Sequence, residues 1–139
     1  MPLEAPAGSQ NLVIRAANLL KSRAGCGLGA RIILTKRIPS SAGLGGGSSD
    51  CAASLVGLNR LWNLGMSRSD LMEIGSELGS DVPFFLSSSS TAICTGRGEQ
   101  IEPLKISSPM YFVIAKPVSG LSTPAVYRRC RPDESGHHM

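Results

Sequence analysis

Residues 39 to 49 run Pro-Ser-Ser-Ala-Gly-Leu-Gly-Gly-Gly-Ser-Ser, and these residue types at this spacing suit the capture of an anion. Without a Cβ, Gly43, Gly45, Gly46 and Gly47 let the backbone take left-handed conformations and come close to a ligand. Successive N–H groups can then converge on one point. A helix starting at Ser48 or Ser49 would aim its unpaired N–H groups and its dipole into the same concavity. Phosphate is the anion such a cradle fits best. A second chemically promising residue stands in Leu78-Gly-Ser-Asp-Val-Pro-Phe-Phe85, where Asp81 lies between a helix-ending glycine and an apolar segment. A carboxylate so placed is expected to be partly desolvated and aimed by a rigid turn, as a general base requires. The other reading is an aspartate that caps a turn.

Better-known glycine loops do not fit. A P-loop needs a lysine directly after its last glycine, and Ser48 follows Gly47 instead. A dinucleotide fingerprint needs glycine where Ser48 stands. The looser match Gly25-x-Gly27-x-x-Ala30 precedes the strand-like Arg31-Ile-Ile-Leu34, whereas that fingerprint must open a helix. A flexible linker would lack Pro39, Leu44 and the abrupt helical pattern that follows.

The elements around these residues are legible from periodicity. Asn11 to Ala24 reads as a helix, with Leu12, Ala16, Leu19 and Leu20 near one face and Gly25 as its stop. Ala30 to Ile38 reads as a strand ending at Pro39. The glycine loop then feeds a helix from Ser49 to Leu64, with Cys51, Leu55, Leu58 and Trp62 on its buried face. Trp62 reads as a core anchor. Ser67-Arg-Ser-Asp70 is a capping box opening a third helix, in which Leu71, Ile74 and Leu78 face inward up to Gly79. Ser87 to Ser90 reads as a loop. Thr91 to Thr95 and Tyr111 to Ala115 read as strands, with a turn at Gly96-Arg-Gly98. The result is an α+β fold with helices on one face of a mixed sheet, short of strands for the helices it must cover. The expected organisation is an N-terminal tail (1–10), a partial domain (11–127) and a polar C-terminal tail (128–139).

At 139 residues and 42% hydrophobic content, the chain is of single-domain size and ordinary globular composition. Its apolar runs are too short to cross a bilayer, and the first residues lack a secretory pattern, so no membrane role is expected. Cys26, Cys51, Cys94 and Cys130 form no CxxC pair, and burial is expected for Cys51 and Cys94. Unpaired thiols suit a reducing, cytoplasmic compartment. The net charge of +4 suits anionic ligands. Nucleic acid is not an expected partner, because Arg128, Arg129 and Arg131 lack interleaved aromatic residues. The terminal pair His137-His138 is a poor metal site.

Taken in order, the motifs resemble those of one enzyme family. They are Pro39 to Ala53, Leu58-Asn-Arg-Leu-Trp62, Leu78 to Phe85, Gly96-Arg-Gly-Glu99, and Lys116-Pro117 with Ser122-Thr-Pro124. From about Asn11 to Tyr127 the chain resembles the galactokinase, homoserine kinase and mevalonate kinase superfamily. Within it, the resemblance is nearest the branch that phosphorylates the 2-hydroxyl of 4-diphosphocytidyl-2-C-methyl-D-erythritol in non-mevalonate isoprenoid synthesis. Homoserine kinase is the alternative inside the superfamily.

This resemblance implies ATP as phosphoryl donor and Mg2+ as its counter-ion, with no dedicated metal ligand in the chain. Pro39, Ser40, Ser41, Ala42, Gly43, Leu44, Gly45, Gly46, Gly47, Ser48 and Ser49 match the ATP-phosphate loop. Asn11, Leu12 and Lys36 fall where the family contacts adenine. Asp81 matches the catalytic acid that takes the substrate hydroxyl proton, and Tyr127 an aromatic residue that stacks on cytosine. The family also has an N-terminal strand with a catalytic lysine, a Gly-Tyr-His stretch and a further α/β domain, which these residues do not match. The expectation is therefore a central fragment with impaired turnover and exposed edges prone to self-association. A non-catalytic nucleotide-binding module is the alternative class.

Overall fold

A computed structural model describes residues 8–39, 41–87, 89–116 and 123–130. A 3-10 turn at Gly8–Gln10 leads into α1 (Leu12–Ala24). Asn11 caps that helix by accepting the Val13 N–H at 2.9 Å, and left-handed Gly25 (φ 58°) closes it. Helix α2 spans Gly46–Leu61 and α3 spans Arg68–Leu78. The capping box of α3 is complete: the Ser67 hydroxyl accepts from the Asp70 N–H, and the Asp70 carboxylate accepts from the Ser67 N–H. Hydrogen bonds to the carboxylate, first from the Ser67 hydroxyl and then from the Ser67 backbone N–H, hold the Asp70 carboxyl below its usual range. Between α2 and α3, Asn59 exchanges two hydrogen bonds with the Met66 backbone and fastens the turn.

A short α4 (Val82–Leu86) follows, with Pro83 in its first turn, where a missing N–H does no harm. The strands β1 (Ala92–Thr95) and β2 (Gln100–Pro103) form an antiparallel hairpin, with Ala92 opposite Pro103 and Thr95 opposite Gln100. Gly96 and Gly98 take left-handed conformations in its turn. There the Glu99 carboxylate accepts backbone N–H groups, including that of Arg97, and is held below its usual range. Helix α5 (Thr123–Arg129) crosses the boundary expected at residue 127.

The core is helical. Ala16 and Leu20 of α1 meet Cys51, Ala52, Leu55 and Leu58 of α2, together with Leu71, Ile74 and Leu78 of α3 and Val82 and Leu86 of α4. Trp62 is buried in this cluster as expected, and its indole N–H donates to the Gly29 carbonyl at 3.1 Å.

Several expectations need correction. Helix α2 starts three residues before Ser49, so Gly46, Gly47 and Ser48 form its first turn. Ala30 to Ile38 and Tyr111 to Ala115 join no ladder among the described residues, where the only sheet is the β1–β2 pair. Strand propensity expresses itself only against a pairing neighbour. The side chains of Tyr111 to Ile114 lie open, Val113 being 99% exposed. Hairpin strand β2 and helices α4 and α5 gave no readable period, being short or interrupted by proline.

Cys94 is exposed rather than buried, as is Cys130, whereas Cys51 is fully enclosed. Burial pushes the Cys51 thiol from 9.0 up to about 11, against a weaker pull from Arg15. With its folded value raised, this group contributes stability that is complete below pH 9.0 and lost as the pH rises through about 11. A thiol-reactive disulfide reagent at pH 8 is expected to titrate Cys94 and Cys130 rapidly in the native chain. Cys51 should react only after urea is added; native-state labelling of Cys51 at the rate of Cys94 would contradict this packing.

Candidate active site

The chain enters the glycine loop through Lys36 and Ile38. It then passes through left-handed Ser41 (φ 53°), Gly43 (φ 70°) and Gly45 (φ 64°) before α2 begins at Gly46. Gly45 is the N-cap residue and offers no side chain to the helix end. The first intrahelical bond runs from the Ser49 N–H to the Gly45 carbonyl at 2.9 Å. Gly46, Gly47 and Ser48 therefore present the helix's opening N–H groups at the loop. Close packing explains two of the glycines. A Cβ on Gly45 would stand 2.7 Å from Phe85 Cζ, and one on Gly46 would stand 2.8 Å from Ile38 Cγ2.

This end of α2 opens into a cavity of about 610 Å³. Its lining takes in Leu12, Pro39, Ser41 through Ser48, Asp81 and Tyr127, joined by Ile114, Ala115, Lys116 and Val126. Residues separated by more than a hundred positions in the chain thus share one chamber. A second cavity, of about 590 Å³, reuses Gly43, Leu44, Gly45 and Asp81 and adds a mostly apolar wall from Phe84, Phe85, Met110 and Phe112.

Asp81 lines both cavities. It occupies the N-cap position of α4, yet its carboxylate makes no capping bond to that helix. Oδ1 instead accepts from the Ser80 hydroxyl at 3.2 Å. The turn-capping role is therefore not what its side chain does. The expected desolvation is corrected too: Asp81 is exposed, because neighbouring Val82 and Pro83 turn inward to the core and away from its carboxylate.

The other expected site residues divide. Asn11 caps α1, beside Leu12 but not in the cavity lining. Lys36 is partly buried, its side chain 7% exposed in an ion pair with Asp50, and it does not line the cavity. The Ser49 hydroxyl donates back to the Gly46 carbonyl at 3.0 Å. Ser40 lies outside the described residues, as do Arg131 and the His137-His138 pair. Tyr127 is 76% exposed at the cavity margin on α5.

Sequence reasoning gave no role to Lys116, Phe85 or Asp50. Lys116 opens the Lys116-Pro117 motif, but nothing in its spacing links it to the glycine loop. Among the described residues, no cluster of three or more histidine, cysteine or acidic side chains could hold a metal ion. No helix there is long and apolar enough to cross a membrane.

The profile described as the GHMP kinases N terminal domain matches residues 11–89, the segment holding α1, the loop, α2, α3 and Asp81. The chain belongs to the GHMP kinase family. Among its relatives, the 4-diphosphocytidyl-2-C-methyl-D-erythritol kinase of Pelotomaculum thermopropionicum is 52% identical over 127 residues, covering 91% of this chain and 44% of the relative. The enzyme of the same name from Brevibacillus brevis is 47% identical over 133 residues, covering 96% of this chain and 45% of the relative. A crystal structure of 4-(cytidine 5'-diphospho)-2C-methyl-D-erythritol kinase superposes with a TM-score of 0.75 at 40% identity, covering 95% of this chain and 50% of that one. The chain thus spans about half the length of the relatives it matches. The expected α+β kinase fold is borne out by the family match and this superposition, with the described sheet being an antiparallel pair.

Proposed function

We propose that these residues carry the ATP-phosphate loop and the proton acceptor of a kinase acting on 4-diphosphocytidyl-2-C-methyl-D-erythritol in isoprenoid synthesis. The observation that supports this most is the meeting of the uncapped start of α2 and the Asp81 carboxylate on one cavity. Phosphoryl transfer needs little covalent help from the protein. It needs the phosphates held, their charge neutralised and the nucleophile aimed. N–H groups from Gly46, Gly47 and Ser48 supply the first two, helped by the positive end of the α2 dipole.

Leu12 gives an apolar contact for the adenine, and Tyr127 a ring for the cytosine to stack on. In the chemical step the acceptor's 2-hydroxyl attacks the γ-phosphorus and the bond from phosphorus to the ADP oxygen breaks. The hydroxyl proton passes to an Asp81 oxygen, and the products are ADP and the phosphate ester. Magnesium arrives with the nucleotide: this ion keeps much of its shell as water and phosphate oxygen, so it needs no dedicated cluster, and Asp81 is a carboxylate within the cavity. When bound, it would neutralise charge developing on the phosphates.

We place this chemistry in the cytoplasm, where free thiols such as Cys94 stay reduced. The open apolar side chains of the segments Ala30 to Ile38 and Tyr111 to Ala115 are surfaces through which copies of the chain would associate.

Phosphorus NMR of ATP, magnesium and the acceptor with the purified chain tests the proposal. A phosphomonoester signal that grows slowly, requires the cytidine-linked acceptor and does not form with homoserine is the expected result. Saturable ATP binding with no transfer would make the chain a nucleotide-binding module instead.

A further inference from the structure

We infer that Asp50 is a positioning residue of the phosphate loop and that it acts through Lys36. The inference deepens the phosphate-binding reading above and rests on it. Lys36 Nζ is paired with Asp50 Oδ2 across the base of the loop, with side chains only 7% and 26% exposed. Asp50 stands in the second turn of α2, just behind the N–H groups that face the cavity. Beside this pair, Ile38 presses on Gly46, and Lys36 Nζ lies 3.5 Å from where a Gly46 Cβ would be. Among the described residues, the segment from 31 to 38 joins no ladder that would otherwise fix its course. The ion pair and the Ile38 contact therefore fasten the chain entering the loop to the first turns of the helix leaving it. The described loop residues, Pro39 and Ser41 to Gly45, lie between the two ends that these contacts hold together. A misplaced end would splay the left-handed residues and turn the N–H groups off their common point.

The sign of one effect separates this role from direct contact. Were Lys36 simply a cation felt by the phosphates, removing the Asp50 charge would leave that cation unshared and tighten binding. As a strut, the pair is needed intact, and removing either partner weakens binding because the other, partly buried, loses its counter-charge and the two ends of the loop lose their tie. Were Lys36 an adenine contact, its loss would weaken ATP and spare a ligand without a base.

The test measures calorimetric affinities of the 139-residue chain for magnesium–ATP and for inorganic tripolyphosphate. Asp50→Asn and Lys36→Met are each expected to weaken both ligands by about tenfold or more, since small misplacements of binding groups are costly. The double variant should be no weaker than the worse single one, and Asp50→Glu should recover most of the loss. Emission from Trp62, buried beyond the far end of α2, reports whether each variant is folded. If Asp50→Asn unfolds, Asp50→Glu and Lys36→Arg keep a pair of altered length and are expected to shift both affinities in parallel. Unchanged or tighter binding by folded Asp50→Asn, or loss of ATP alone in Lys36→Met, would overturn the inference while leaving the phosphate site standing. A wild-type chain that binds neither ligand would instead remove the phosphate site itself, and this inference with it.

Discussion

Asp81→Asn is expected to slow phosphoryl transfer by on the order of a thousand-fold while changing ATP affinity less than about twofold. The substitution keeps the shape of the side chain and its ability to accept from the Ser80 hydroxyl, so the turn entering α4 should persist. What it removes is the capacity to take a proton. Because Asp81 makes no capping bond to α4, stability should scarcely move, and a urea melt serves as the control. Single-turnover transfer measured beside nucleotide binding separates the two quantities. Parallel loss of binding and transfer, with a lowered melt, would make Asp81 a structural turn residue.

Gly45→Val should abolish the nucleotide site most completely, with ATP binding weakened by about a hundredfold or more. Two costs combine at this position. The residue sits at φ 64°, a conformation that is a genuine outlier for a β-branched side chain. Its Cβ would also stand 2.7 Å from Phe85 Cζ. The ring is 41% exposed and can swing outward, so the backbone term dominates. To relieve it, residue 45 must leave the left-handed region, and the N–H groups at the start of α2 then lose their aim. Asn tolerates that region better, so Gly45→Asn should retain clearly more affinity than the valine variant. Equal losses, followed by calorimetry, would place the cost in close packing rather than backbone conformation. The same logic moves Gly46 to a different cause. It is helical, and its glycine is required by Ile38 alone.

Much of this site could be read from residue order because its strongest signals are local. Caps and 3.6-residue spacing gave α1 and α3 nearly to the residue, since Asn11, Gly25 and Ser67 act on neighbours a few positions away. The start of α2 was read late because glycines are poor in helix interiors. At the first turn, however, their N–H groups need no intrahelical partner, so Gly46 and Gly47 are tolerated there. Ala30 to Ile38 and Tyr111 to Ala115 failed for the opposite reason: a strand depends on a distant neighbour that propensity does not reveal. The Lys36–Asp50 pair was equally hidden. Its partners stand 14 residues apart across the loop, and only the loop's closure brings them together. Asp81 was found by its motif, but its exposure depended on which way Val82 and Pro83 turned.

The proposed kinase chemistry requires the loop and the first turn of α2 to hold the phosphates of a nucleotide. Following backbone amides by proton–nitrogen NMR while adding magnesium–ATP tests this directly, because glycine amides resolve well and report position by position. Saturable shifts are expected, largest at Gly43 through Ser48, reproduced by tripolyphosphate for Gly46 to Ser48, with Leu12 responding only to ATP. Unmoved amides from Gly43 to Ser48 at millimolar nucleotide, or saturable shifts confined to another part of the chain, would contradict it.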